Sequence, residues 1–173
     1  DYIITETKPW TAWYRFGNDG TRSEGYLRQQ FGYYNSQVSN NDDILSVLYA
    51  TSNFNNTNAV NGSYELPVGM DGQVRARVSG SWSQYFADQF GVTEVPDAFS
   101  GISWSGSGEL RANVYQDGPL FVDVIGGLRY QFVNVKNNLL PGGLGYAEAD
   151  FVMPYGMVQL EQLGPWSAVQ GSV

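Results

Sequence analysis

From Ile102 to Val114 every second residue is apolar or glycine, and every residue between is polar: Ser103, Ser105, Ser107, Glu109, Arg111, Asn113. This is the period of a β-strand with two unlike faces, and at roughly 3.3 Å per residue it reaches about 40 Å, against about five or six residues for an ordinary soluble strand. A strand that long, oily on one side and ionic on the other, suits a barrel that crosses a membrane. The alternation recurs in Val74 to Trp82, where Arg75, Arg77, Ser79 and Ser81 form the polar set, and in Leu120 to Phe132, where Asp123, Arg129 and Gln131 do.

Nine strands can be laid out this way, at about Trp10–Phe16, Gly25–Tyr34, Ile44–Ser52, Val60–Val68, Gln73–Tyr85, Ile102–Val114, Leu120–Phe132, Leu144–Met153 and Met157–Leu163. Turn formers separate them, including Gly17-Asn18-Asp19-Gly20, Asp117-Gly118-Pro119 and Pro154-Tyr155-Gly156. The expected fold is all-β, an antiparallel up-and-down transmembrane barrel, with 8 to 9 strands making about half of one. Connections alternate between tight turns and the longer segments 17–24, 53–59, 86–101 and 133–143, as they do between the two sides of such a barrel. The segment 35–43 breaks this rule, being long on the tight side.

Charge and composition narrow the function. The 173 residues fit one domain, and a net charge of −8 without a basic cluster argues against nucleic acid as a ligand. No run of about twenty apolar residues could form a spanning helix, so strands must do any crossing. Cysteine and histidine are both absent, which removes disulfides, thiolate and imidazole metal sites and the common catalytic triads. No enzyme activity and no cofactor is expected. Glu148 and Asp150, two apart on one strand, could in principle form a glycosidase pair, but acids on a wet wall need no catalytic explanation. Asn18-Asp19-Gly20 and Asn41-Asp42-Asp43 lack calcium-loop spacing and read as turns. The sequons at Asn55 and Asn61 carry no meaning in a bacterial barrel. The start at Asp1 has neither the basic residues nor the apolar core of a secretory signal, so an exported chain is expected here in mature or trimmed form.

Charges on a lipid-facing wall cost about 2–4 kcal/mol for Arg or Lys at midplane, so they should gather on the opposite face. Arg75, Arg77, Glu109, Arg111, Asp123, Arg129, Glu148, Asp150 and Glu161 are therefore assigned to the polar register, as the lining of a water-filled interior. Their mixed sign favours cross-strand ion pairs over a selective filter, with Arg75 and Arg77 meeting Glu65 or Glu109. The aromatics Trp10, Tyr85, Trp104, Tyr130, Tyr155 and Trp166 stand near expected strand ends and are assigned to the membrane interfaces.

Specific stretches add a resemblance. Tyr2 to Trp10, ending in Pro9-Trp10, followed by Ala12 to Gly25 with Asn18, Gly20, Ser23 and Gly25 in spacing, resembles the junction between the last POTRA domain and the barrel in two-partner-secretion outer-membrane transporters of the haemolysin-activator type. Ser63-Tyr64 with Leu66-Pro67-Val68-Gly69, and Ser103-Trp104-Ser105-Gly106, resemble later barrel strands of that family. The resemblance implies that residues 1–9 end a POTRA-like strand and 10–173 are the N-terminal part of a sixteen-stranded barrel. It also implies a bacterial outer-membrane location, an unfolded secreted client as partner, and a remaining half of the barrel on another segment or chain. The family's lid-loop motif has no counterpart here. Two other readings stay open: a small closed outer-membrane barrel with a structural or adhesive role, and a soluble extracellular sandwich that binds carbohydrate.

Overall fold

The computed structural model describes residues 8–20, 25–54, 57–69, 72–90, 93–137, 145–163 and 168–172. They form nine strands: β1 (Trp10–Gly17), β2 (Arg28–Asn35), β3 (Ile44–Ser52), β4 (Thr57–Val68), β5 (Val74–Phe90), β6 (Thr93–Asp117), β7 (Leu120–Asn137), β8 (Tyr146–Leu163) and β9 (Ala168–Ser172). Each pairs antiparallel with the next in chain order, giving one open nine-stranded sheet, β1 to β9, of all-β, up-and-down topology. That is the architecture of part of a barrel wall. Among the described residues no second sheet covers it, unlike a sandwich, and β1 does not meet β8 or β9, unlike a small closed barrel.

The long alternating strands form as read, and they run further. β5 continues to Phe90 and β6 starts at Thr93, so the expected connection 86–101 is largely strand. A register shift between Ala87 and Gln89 breaks the alternation there, which hides it from a period-two reading. β7 likewise runs on to Asn137. The expected turn at Pro154-Tyr155-Gly156 is instead the middle of β8, and the expected eighth and ninth strands are one. β9 pairs only with Gln159 to Leu163, so at Pro154 the strand has a partner on one side alone, where a missing N–H is tolerated.

Register lines up one row across eight strands: Tyr14, Phe31, Tyr49, Val60, Trp82, Trp104, Phe132, Asp150. Measured from this row, β2 ends four residues on at Asn35, β4 eight on at Val68, and both β6 and β8 thirteen on, at Asp117 and Leu163. Nine residues of recession between β2 and β8 make about 30 Å along the strands against about 29 Å across six strand spacings, a slant of about 45°. Membrane barrels tilt their strands by ~35–45°.

Parity in the sheet separates two faces. One carries Val78, Leu110, Leu128 and Val152, all at least half exposed. The other carries the charged residues, yet holds the buried Ile125 (6% exposed) and Gln159 (8%). Side chains on this second face reach partners two strands away, as on a concave surface.

The segment 36–43 folds back onto the sheet. Asp43 is fully buried, and its carboxylate accepts from the Ser39 amide (3.0 and 3.1 Å) and the Tyr64 hydroxyl (2.7 Å). Asn40 and Asp42 take left-handed φ of 61° and 57°, which short polar residues tolerate best. This is the turn chemistry expected of the segment.

Candidate functional site

Every described arginine lies on the concave face: Arg15, Arg28, Arg75, Arg77, Arg111 and Arg129. Glu65, Glu109, Asp123 and Glu161 share it. Of the nine residues assigned to the polar register from the sequence, seven are here: Arg75, Arg77, Glu109, Arg111, Asp123, Arg129 and Glu161. The other two are corrected. Asp150 pairs with Phe132 and Glu148 with Asn134, which puts both acids on the opposite face, while Ala147, Ala149, Phe151 and Met153 take the concave positions.

The ions are paired in three groups. Arg75 Nε lies 2.5 Å from Glu65 Oε1, and the same guanidinium donates to the Asp42 carboxylate (2.9 Å) and backbone carbonyl (2.7 Å), tying the 36–43 segment to β5. Arg77 approaches Glu109 at 3.6 Å, and Glu109 also accepts from the Tyr155 hydroxyl at 2.7 Å. Arg111 Nε sits 2.9 Å from Asp123 without aiming its N–H at an acceptor, so that contact is purely ionic, while Nη2 donates to Gln159 at 2.7 Å. Arg129 has no carboxylate partner among the described residues.

Between these groups lies a strip of hydroxyls. Ser79 pairs with Ser107, Ser81 with Ser105 and Ser83 with Ser103, at 2.6, 2.7 and 2.8 Å between oxygens. Ser46 and Ser63 extend the Ser79–Ser107 row. Two hollows open on this face. One of about 450 Å³ at the turn end is lined by Arg75, Arg111, Phe121, Asp123 and Glu161, and one of about 350 Å³ further along by Ser63, Arg77, Ser79, Ser107 and Arg129. No three metal-ligating side chains converge among the described residues. The wall can pair ions and bind water.

Three aromatics lie flat against this wall, each over the glycine opposite it in register: Trp13 over Gly32, Tyr85 over Gly101, Tyr155 over Gly127. A Cβ at Gly127 would meet the Tyr155 ring and the Gly108 carbonyl oxygen, both at 2.7 Å. Tyr85 and Tyr155 thus correct the sequence reading, since they belong to the concave wall and not to an outer girdle. Trp10, Trp104 and Tyr130 do lie on the convex face, half exposed in the case of the two tryptophans. Trp166 falls outside the described residues.

The convex face carries more aromatics than the sequence reading assigned to it. Tyr14 packs tilted against Phe31 (4.6 Å between centroids), Phe31 stacks on Tyr49 (6.1 Å), and Trp104 contacts Tyr130 (4.9 Å) and Phe132 (5.8 Å). Its polar groups satisfy one another: the hydroxyls of Tyr49 and Thr51 both donate to Asn58 Oδ1, at 2.8 and 2.9 Å. Lys136, Glu148 and Asp150 gather at one corner of this face, and Asp117, opposite Leu120 past the bulge in β6, stands on it at the turn end.

No family model matches the chain, and no curated protein does. A solved structure does: CdiB from Acinetobacter baumannii superposes with a TM-score of 0.66 over 94% of this chain, at 20% identity. The chain spans 30% of that protein's length, and a likeness at this identity is one of fold.

Proposed function

We propose that this chain is a section of a bacterial outer-membrane β-barrel that passes a protein client outward, in the manner of two-partner-secretion transporters. The observation that carries the reading is the sorting of charge: every described arginine on the concave wall, and a convex wall of apolar and aromatic side chains. The 45° slant and the fold likeness to CdiB support it, as does the resemblance of the Pro9-Trp10 junction. The seven charged residues named above would line the path of an extended client, and the strands that pair with β1 and β9 would come from the rest of the barrel, on the same or another polypeptide.

The slant also accounts for the two misplaced acids. Counted from the end of β8 at Leu163, Asp150 and Glu148 stand about 30 and 35 Å above the turns, beyond an apolar band of ~25 Å, so they face outward without entering hydrocarbon. Trp10, Trp104 and Tyr130 fall toward the margins of that band.

Reconstituted in a planar bilayer, the full-length protein is expected to conduct ions, and conductance should change on Arg129→Glu. A protein that resists heat denaturation on a gel, as a folded barrel does, yet shows no conductance would refute the pore.

A further inference from the structure

We infer that the concave wall of β6 to β8, at its loop end, holds an extended segment of the client whose apolar side chains come at alternate positions. The inference rests on the secretion reading above and names the chemistry of what passes. It starts from a reversal of polarity along two neighbouring strands. On the turn side of the Gln131–Phe151 pair, β7 and β8 turn Leu128, Tyr130 and Val152 outward, and their inward positions include Arg129, Gln159 and Glu161. On the loop side β7 turns Asn134 and Lys136 outward and Val133 and Val135 inward, while β8 turns Glu148 and Asp150 outward and Ala147 and Ala149 inward. Phe151, half exposed, and Met153 complete this inward apolar patch.

Height explains the outer half of the reversal. Val133 lies thirteen residues from the start of β7 at Leu120 and Phe151 twelve from the end of β8 at Leu163, which the slant converts to about 30 and 28 Å above the turns, past a ~25 Å apolar band. Outward side chains there meet water, and polar ones suit it. Apolar side chains on the inner side of the same stretch have no hydrocarbon to face, so only another apolar surface inside the mouth matches them.

The strand beside the patch selects the pattern of the occupant. Ser105 stands opposite Gln131 and Ser103 opposite Val133, so β6 hydroxyls flank β7 on one side and Phe151 and Ala149 of β8 flank it on the other, two strand spacings or about 10 Å apart. Successive side chains of an extended chain point in opposite directions. Such a chain, lying over β7 with its side chains along the wall, turns every second one to the hydroxyls and those between to the apolar column. A wholly polar segment would leave Phe151 and Ala149 unmatched, and a wholly apolar one would cover the serines without giving them partners. The inner positions from Ser105 to Gly101, Gln131 to Val135 and Phe151 to Ala147 carry no charge, so selection here is by polarity alone.

The test is single-channel recording of the full-length protein in a planar bilayer, with peptide added on the turn side. One peptide of about twelve residues alternates valine and serine, and a second of the same composition carries its valines in one block. The alternating peptide should dwell longer in the pore. Its dwell time should fall about fivefold in Phe151→Ser and stay unchanged in Lys136→Gln, which alters the outer side of the same stretch. Equal dwell times for the two peptides, or no change in Phe151→Ser, overturn this site while the open-channel current upholds the pore. If Phe151→Cys, without peptide, resists a membrane-impermeant thiol reagent added on the loop side, another segment of the protein covers the patch and the client assignment falls. Heat-resistant, folded protein that passes no current overturns the pore and this site with it.

Discussion

Placing a methyl group on Gly127 attacks the concave wall at its tightest point. The new Cβ would sit 2.7 Å from the Tyr155 ring and 2.7 Å from the Gly108 carbonyl oxygen, and the latter is backbone that cannot swing aside. Tyr155 must leave its place, which breaks its hydrogen bond to Glu109. A hydrogen bond to a charged acceptor contributes about 1.5–3 kcal/mol and overpacking costs about 1–3 kcal/mol, so Gly127→Ala should destabilise the barrel by about 3 kcal/mol. In a Tyr155→Ala background the ring and its bond are already gone, and the same change should cost only about 1 kcal/mol for the remaining backbone contact. Urea unfolding of the full-length protein in phospholipid vesicles, followed by tryptophan fluorescence, measures all four corners of this cycle. The expected coupling is about 2 kcal/mol, and additivity within about 0.5 kcal/mol would refute the idea that ring and glycine form one joint.

Two further outcomes are expected. Leu128→Arg, on the convex face, should cost about 2–4 kcal/mol in the same unfolding assay while Gln131→Arg, on the concave face of the same strand, costs little; equal costs would reverse the assignment of faces. At Asp43, burial pushes the carboxyl up, but bonds from the Tyr64 hydroxyl and the Ser39 amide outweigh it and hold it below its ordinary value of 3.8. The folded form is thus favoured above that value and loses this support as pH falls through the lowered one, so protection of the Ser39 amide from hydrogen exchange should persist at pH 5, disappear in strong acid, and be absent at pH 7 in Asp43→Ala, which has no acceptor there.

Long alternation made most of the sheet readable in advance, because a strand wet on one side and oily on the other has to alternate. Ile44–Ser52 coincides with its expected bounds for this reason. Readability ended where alternation did. A bulge at Ala87 to Gln89 hid the outer parts of β5 and β6, and Pro154 looked like a turn because a proline's fitness depends on whether a neighbour needs its N–H, which only the pairing reveals. Nine strands were expected and nine are seen, though two expected ones fuse into β8 and β9 lies further on. Charge misleads on the face of Glu148 and Asp150, because near the end of a tall strand charge no longer implies the interior. Tyr85 and Tyr155 share parity with Ser83 and Gln159, a signal open to inspection that proximity to strand ends overrode.

If a client passes along this wall as proposed, it meets the paired serines of β5 and β6. Each pair turns one donor inward to its neighbour, so a ladder of six hydroxyls offers a passing chain only three free hydrogens and no bulk to catch on. Such a surface wets readily but grips weakly, and a peptide moving along it would exchange one water-like contact for another without falling into any deep trap.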